Sequence, residues 1–181
     1  VGDVIVSGGV RRSAMISLSN LSDQRMRHAK SGQWWETAPQ MALSNNSVCY
    51  TDKPDGETFL REWTALVESK SGERGIFNRI SAKEQAKKFG RRDADHEFGT
   101  NPCSEIILRP YQFCNLTEVV IREKDRFEDL KRKVMLATIL GTAQATLTKF
   151  PYLRKVWKNN TEEERLLGVS LTGIMDNELT S

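Results

Sequence analysis

The run Asn101-Pro102-Cys103-Ser104-Glu105, followed eleven residues after Cys103 by Cys114 in Tyr111-Gln112-Phe113-Cys114-Asn115-Leu116, constrains this chain more than any other feature. Pro102 restricts its own φ and turns Asn101 away from helical geometry, so the run does not belong in a helix interior. An extended backbone is the expectation. Its period of two would send the amide of Asn101, the thiol of Cys103 and the carboxylate of Glu105 to one face. A lone cysteine usually fills a core as a small hydrophobe. This one shares its face with two polar groups, and burying either without a partner costs about 1–3 kcal/mol. The cluster therefore reads as a reactive site, a thiol between a hydrogen-bonding amide and a potential base. Zinc is disfavoured, because the two cysteines lack the close Cys or His pairs of structural zinc sites. No protein-ligated metal is expected.

Around this run the sequence alternates between strand and helix patterns. Val4-Ile5-Val6, a turn at Gly8-Gly9 and Ala14-Met15-Ile16-Ser17-Leu18 predict two strands within residues 1–18. Residues 22–44 read as helical in parts, interrupted near Gly32 and Pro39, and residues 47–51 as a short strand. Residues 57–69 carry Phe59, Leu60, Trp63, Leu66 and Val67 at helical spacing, closed by Gly72. Ser81 with Glu84 suggests a capping box for a helix ending near Gly90, and a loop over 91–99 follows. Residues 116–122 read as a strand. Asp125 with Glu128 suggests the start of a long helix reaching about Lys149. Thr161 with Glu164 predicts a last helix with Leu167, Leu171 and Met175 on one face. Such alternation places the chain in the α/β class.

Composition narrows the setting. The 27 basic and 24 acidic side chains leave a net charge of +3, too small to argue for nucleic-acid binding. The basic clusters Arg25-Arg27-Lys30, Lys83-Lys87-Lys88-Arg91-Arg92 and Lys131-Arg132-Lys133 are expected to be solvated helix faces. Three cysteines without a secretory pattern disfavour a disulfide framework and suit a reducing, cytoplasmic setting. Nothing reads as a signal peptide, membrane span or lipidation motif, so no membrane association is expected. The 181 residues suffice for one core, yet the chain starts without Met inside an apolar run. It is expected to be an internal piece of a longer protein.

Phe98-Gly99-Thr100-Asn101-Pro102-Cys103-Ser104-Glu105-Ile106-Ile107-Leu108, running into Pro110-Tyr111-Gln112-Phe113-Cys114-Asn115-Leu116, resembles the finger-loop region of ribonucleotide reductases. The nearest variety is the adenosylcobalamin-dependent class II enzyme of the monomeric, triphosphate-reducing kind. Val6-Ser7-Gly8-Gly9-Val10-Arg11-Arg12-Ser13-Ala14, Asn45-Asn46-Ser47-Val48, Glu68-Ser69-Lys70-Ser71-Gly72-Glu73-Arg74-Gly75-Ile76-Phe77-Asn78-Arg79 and Glu164-Arg165-Leu166-Leu167-Gly168-Val169-Ser170-Leu171-Thr172-Gly173 resemble further family segments, in family order. Essentially the whole chain is covered. The family usually has Gly where this chain has Ser104, on the side of the expected strand away from the three polar groups.

The resemblance implies that residues 1–181 form one fragment of the catalytic barrel. Its fold would be part of a ten-stranded α/β barrel of the ribonucleotide reductase and glycyl-radical type, with the active cysteine on a central finger loop near 99–110. It implies radical reduction of ribonucleotides to 2′-deoxyribonucleotides for DNA synthesis. Cys103 would be the thiyl radical residue that takes the ribose 3′-hydrogen, Glu105 the base on the 3′-hydroxyl, and Asn101 a donor that positions the sugar. Cys114 would be one of two reducing thiols, its partner lying upstream of residue 1. The implied cofactor is adenosylcobalamin, which carries its own cobalt. The implied partners are a ribonucleotide substrate, an allosteric deoxynucleotide effector, and a thioredoxin-like or dithiol reductant.

Gly8-Gly9-Val10-Arg11-Arg12 on its own reads as a turn between strands with two solvent-facing arginines. It resembles the specificity loop, near 7–13, that carries information between effector and substrate base. There Arg11 or Arg12 would offer a planar, multi-donor group. Two rival readings share these features: the large subunit of a diphosphate-reducing reductase with a separate radical-generating subunit, and a non-catalytic, thiol-bearing nucleotide-binding module. Cys49, in an alternating strand, reads as a buried structural thiol and not as the missing redox partner. His28 and His96 read as surface or capping residues. Trp34-Trp35 is left without a role, since such aromatics usually anchor a core or an interface.

Overall fold

Three short extended segments separated by helical crossovers make the first unit a parallel sheet. The computed structural model describes residues 14–181, which divide into one unit up to Pro110 and a second from Tyr111 onward. The first expected strand and the residues Gly8, Gly9, Arg11 and Arg12 lie outside the described residues. In the first unit β1 (Ile16–Ser19), β2 (Asn45–Tyr50) and β3 (Gly75–Asn78) pair in that order, with Ile16 opposite Asn45 and Val48 opposite Ile76. Parallel neighbours need long crossovers. Two single-turn helices, α1 (Gln24–Arg27) and α2 (Trp34–Thr37), and a 3-10 turn over Pro39–Leu43 supply the first. Gly32, at φ +64°, and Pro39 break the helical run where the sequence indicated. The second crossover is α3 (Gly56–Ser69). Asp55 caps it, accepting the Thr58 N–H at 2.8 Å, and Lys70 ends it in the left-handed region.

β3 runs directly into α4 (Arg79–Lys88). Its cap is Asn78, whose side chain accepts the Ser81 N–H at 3.1 Å. Ser81 is thus inside the helix, and the expected Ser81–Glu84 capping box does not form. Asn78 wins because it is already extended as the end of β3, the conformation a capping residue needs. Cys49, Phe77, Ala82, Ala86 and Phe98 form the apolar core, with Leu18, Ala94 and Ile107 packed against it. Phe98 is fully buried. It joins sheet and helix to the antiparallel hairpin of β4 (Gly99–Thr100) and β5 (Ile107–Leu108).

A second core is charged. Glu62, 6% exposed, accepts from Arg27 Nε and from both Nε and Nη2 of Arg74 at 3.0 and 2.9 Å. Arg74 also donates to Ser19 Oγ at 2.8 Å, and Arg27 to the Leu21 carbonyl at 2.6 Å. Lys30 donates to Glu73 at 2.9 Å, and the other oxygen of Glu73 accepts the Asn46 N–H at 2.7 Å. This corrects the reading of Arg27 and Lys30 as part of a solvated face, since both are buried. It also sets which way α3 faces. Glu62, Ala65 and Ser69 face inward, while Phe59, Leu60, Trp63 and Val67 are exposed. Hydrophobic spacing marks a stripe, but not what covers it.

In the second unit β6 (Asn115–Val120) and β7 (Leu167–Thr172) pair in parallel, with Leu116 opposite Gly168. They are joined through α5 (Phe127–Ala145) and α6 (Lys155–Glu164). α5 starts one residue later than the Asp125–Glu128 pattern suggested. Asp129 accepts the Arg126 N–H at 3.0 Å, while Asp125 accepts the Arg122 N–H at 2.8 Å and also pairs with Lys133. Gly141 lets α5 approach the sheet closely, since a side chain there would strike Leu167. Asn177, buried, donates to the carbonyls of Arg122 and Asp125 at 2.9 and 2.8 Å and ties the end of the chain to the turn after β6.

The expected last helix is wrong in place and type. Thr161 and Glu164 lie in the final turn of α6, Thr161 Oγ1 donating to the Trp157 carbonyl at 2.8 Å, and residues 167–172 are strand. Leu167, Val169 and Leu171 also alternate with period two, and pairing along all of β6 decides between the periods. Among the described residues no helix is long and apolar enough to cross a membrane.

Removing one member of a buried ion cluster leaves the others desolvated and unpaired, at about 3–5 kcal/mol, while exposed pairs contribute about 0–1 kcal/mol. Glu62→Ala is therefore expected to lower stability by about 3–5 kcal/mol. Arg61→Ala, which breaks an exposed pair with Glu57, is expected to change it by less than about 1 kcal/mol. Urea unfolding of both variants checks the contrast.

Candidate active site

The β4–β5 hairpin presents Asn101, Cys103 and Glu105 in its connecting loop, and Phe98 and Ile107 fix the base of that loop in the apolar core. Arg79 reinforces the base by donating from Nε to the Phe98 carbonyl at 2.7 Å. The loop is not extended. The Ser104 N–H donates to the Asn101 carbonyl at 3.0 Å, which closes a four-residue turn with Pro102 and Cys103 at its centre. Pro favours such a second position because its φ is preset. The alternation argument for a shared face therefore fails, since a turn has no period of two. What the three residues share is a six-residue loop, and not one face of a strand.

Ser104 has φ +67°. A non-glycine residue there carries a cost on the order of 1 kcal/mol. The Gly that the resemblance implies at this position would carry no such cost, so Ser104 is a more consequential departure than its expected placement suggested.

Asn101 works on its own loop, its Oδ1 accepting the Ile106 N–H at 3.0 Å. That leaves its amide NH2 group as the donor able to address a ligand. Cys103 and Glu105 are exposed. Asn45 Nδ2 donates to the Pro102 carbonyl at 2.8 Å, a contact that no sequence signal marked.

Cys114 belongs to the second unit, half-buried and immediately before β6. The backbone around it is anchored on both sides. Asn115 N–H donates to the Leu166 carbonyl at 3.1 Å, and Asn160 Nδ2 to the Tyr111 carbonyl at 3.1 Å. Gln112, buried, donates to Glu164. Phe113 packs on Trp157 and Phe150 with ring centroids 4.7 and 5.1 Å away, and Arg154 lies 4.5 Å from the centre of Tyr111.

No family model matches the chain, and no solved structure matches it. Curated relatives do. It is 33% identical over 186 residues to an adenosylcobalamin-dependent ribonucleoside-triphosphate reductase of Lacticaseibacillus paracasei, which covers 97% of this chain and 23% of that protein. It is 33% identical over 190 residues to the enzyme of the same name from Lactobacillus leichmannii, covering 99% and 24%. With the Lactobacillus helveticus enzyme of that name it shares 30% over 192 residues, covering 97% and 23%. The chain is homologous to a segment of the adenosylcobalamin-dependent ribonucleoside-triphosphate reductases. It spans about a quarter of the length of these relatives.

The third cysteine behaves as a structural thiol. Cys49 is buried, and burial pushes its pKa up, with Arg79 acting in the opposite direction. His28 is the C-cap residue of α1. His96 lies against Arg109 and Asp93 and packs edge-on to Phe98. Trp34 and Trp35 pack against each other, and Lys30 lies 5.6 Å from the centre of the Trp34 ring.

Thiolate is the reactive form of cysteine, and access governs its capture. Alkylation with iodoacetamide at mildly alkaline pH is expected to modify Cys103 first, Cys114 more slowly and Cys49 last. Peptide mass spectrometry against time checks the order, and Cys49 modified as fast as Cys103 would contradict it.

Proposed function

We propose that this chain is the finger-loop segment of an adenosylcobalamin-dependent ribonucleotide reductase, which reduces ribonucleoside triphosphates to 2′-deoxyribonucleotides for DNA synthesis. The observation that carries the reading is similarity along nearly the whole chain to reductases named for that activity. An exposed cysteine flanked in one loop by an amide donor and a carboxylate supports it. The finer fold reading, part of a ten-stranded barrel, is supported by two groups of parallel strands with helical crossovers.

In this reading Cys103, as a thiyl radical, takes the 3′-hydrogen of the ribose. Sulfur suits the task because its S–H bond is weak enough to exchange hydrogen with a sugar carbon. Glu105 accepts the 3′-hydroxyl proton, which eases departure of the protonated 2′-hydroxyl as water. The free amide NH2 of Asn101 donates to a sugar oxygen and holds the ring in register. Cys114 and a thiol upstream of this chain supply two electrons and two protons and become a disulfide. Cys103 then returns hydrogen to C3′. One ribonucleotide and one dithiol thus give one deoxyribonucleotide, one disulfide and one water. A thioredoxin-like or dithiol reductant restores the pair.

Adenosylcobalamin, when bound, supplies the initiating radical chemistry, and the exposed position of Cys103 at a loop tip fits a thiol that must receive it. The residues Gly8, Gly9, Arg11 and Arg12 would form the loop that links an allosteric deoxynucleotide effector to substrate choice. A cytoplasmic setting suits free thiols.

The test uses the complete reductase. Cys103→Ser is expected to abolish turnover with the fold intact, because an O–H bond is too strong to enter the radical cycle. Turnover above trace level by that variant would refute the assignment. Cys114→Ser is expected to stop deoxynucleotide formation while still releasing free base from the nucleotide, the fate of a substrate radical left unreduced. Parental deoxynucleotide production by this variant with a chemical dithiol would remove Cys114 from the reduction.

A further inference from the structure

We propose that Asn45 is a positioning residue for the Cys103 loop and acts by fixing the orientation of the Pro102–Cys103 peptide. The inference rests on the reading that Cys103 is the reacting thiol, but its physical basis is separate. Asn45 opens β2, where it pairs with Ile16, and its backbone N–H donates to the Met15 carbonyl at 2.9 Å. Its main chain is therefore fixed by the sheet. Its side chain is exposed, yet it reaches across 57 residues of sequence to donate from Nδ2 to the Pro102 carbonyl at 2.8 Å. The neighbouring Asn46 contrasts with it, being buried and tied through its backbone N–H to Glu73.

The bonded carbonyl is what gives this contact a role. In a four-residue turn the peptide between the second and third residues is the one whose flip converts type I into type II. In the Asn101–Ser104 turn that peptide joins Pro102 to Cys103. Proline in second place permits either type, so it does not choose. Type II would require positive φ at Cys103. Within this turn the positive φ falls on Ser104, and Cys103 is not one of the residues that adopt it. The other two bonds that close the loop, Ser104 N–H to the Asn101 carbonyl and Ile106 N–H to Asn101 Oδ1, do not involve the Pro102–Cys103 peptide. Among the described residues the Asn45 amide is the contact that holds it. A flip of that peptide redirects the Cα–Cβ bond of Cys103, and a displacement of about 1 Å in a reacting group can cost about a hundredfold in rate.

The complete reductase is the test material. Asn45→Ala removes the donor, Asn45→Asp replaces it with an acceptor of the same size, and Asn45→Gln keeps the donor on a longer arm. Hydrogen exchange across the peptide 99–108 reads the loop, and kcat against KM reads its consequence. Ala and Asp are expected to speed exchange at Ser104 and Ile106 about fivefold, as loss of one neutral hydrogen bond allows, with exchange in β2 and β3 unchanged. They are expected to lower kcat about tenfold or more at unchanged KM, and Gln to restore part of both. Unchanged exchange in Asn45→Ala overturns the proposal whatever the activity. Faster exchange with parental kcat overturns it too, because the loop would then be held without consequence for the thiol. Failure of the underlying reading is distinguishable. An active Cys103→Ser variant removes the thiol from the chemistry, and with it the positioning role, while the effect of Asn45 on loop exchange stands.

Discussion

The first unit is organised around a carboxylate. Glu62 lies buried between the guanidinium groups of Arg27 and Arg74, and through them it meets α1, the end of β1 and the approach to β3. Such a cluster adds little net stability, because the desolvation of three charges offsets their attraction. Its effect is on geometry. Each guanidinium donates to groups on separate segments and so ties those segments together, and Lys30 with Glu73 makes a second buried tie next to Asn46. The parallel order β1, β2, β3 brings Asn45 to the sheet end that faces the Cys103 turn.

The thiol loop draws on both cores. Phe98 and Ile107 seat its base among Cys49, Phe77 and the alanines of α4, which are small enough to let the hairpin approach. Among the described residues its tip is held by hydrogen bonds, one donated by Asn45 outside the loop and two accepted by Asn101 within it. In the proposed reading a reacting thiol needs this division. The stem must be rigid, and the tip must remain open to solvent and ligand, so apolar packing cannot be what fixes the tip. Cys114 differs in its own unit, where a half-buried thiol follows Phe113, which packs on Trp157, and precedes Asn115, whose N–H is bonded to the Leu166 carbonyl.

Much of this was legible in the sequence. The breaks at Gly32 and Pro39, the helix over 57–69, the long helix expected to about Lys149, which ends at Ala145, the strands at 47–51 and 116–122 and the buried Cys49 follow from local chemistry, and local chemistry is what a sequence displays. The errors share a cause. The capping of α4 and α5 moved to Asn78 and Arg126–Asp129, because any of several adjacent polar residues can cap a helix and the preceding backbone selects among them. Residues 167–172 carried apolar positions at both i, i+2 and i, i+4, and only a strand partner could choose between them.

The sequence by itself supplied the candidates for chemistry and the similarity to known proteins, because side-chain identity and order survive without a fold. Asn101, Cys103, Glu105 and Cys114 were named on that basis, and so was the reductase relationship. Tertiary structure alone decided how the first three are presented, as a turn held from β2 and not as one face of a strand. It alone also turned Glu62 inward and left Phe59 and Trp63 outside. The reason is physical. A turn type, the inward face of a helix and the partner of a buried charge each depend on groups tens of residues away, and no local pattern encodes where those groups come to rest.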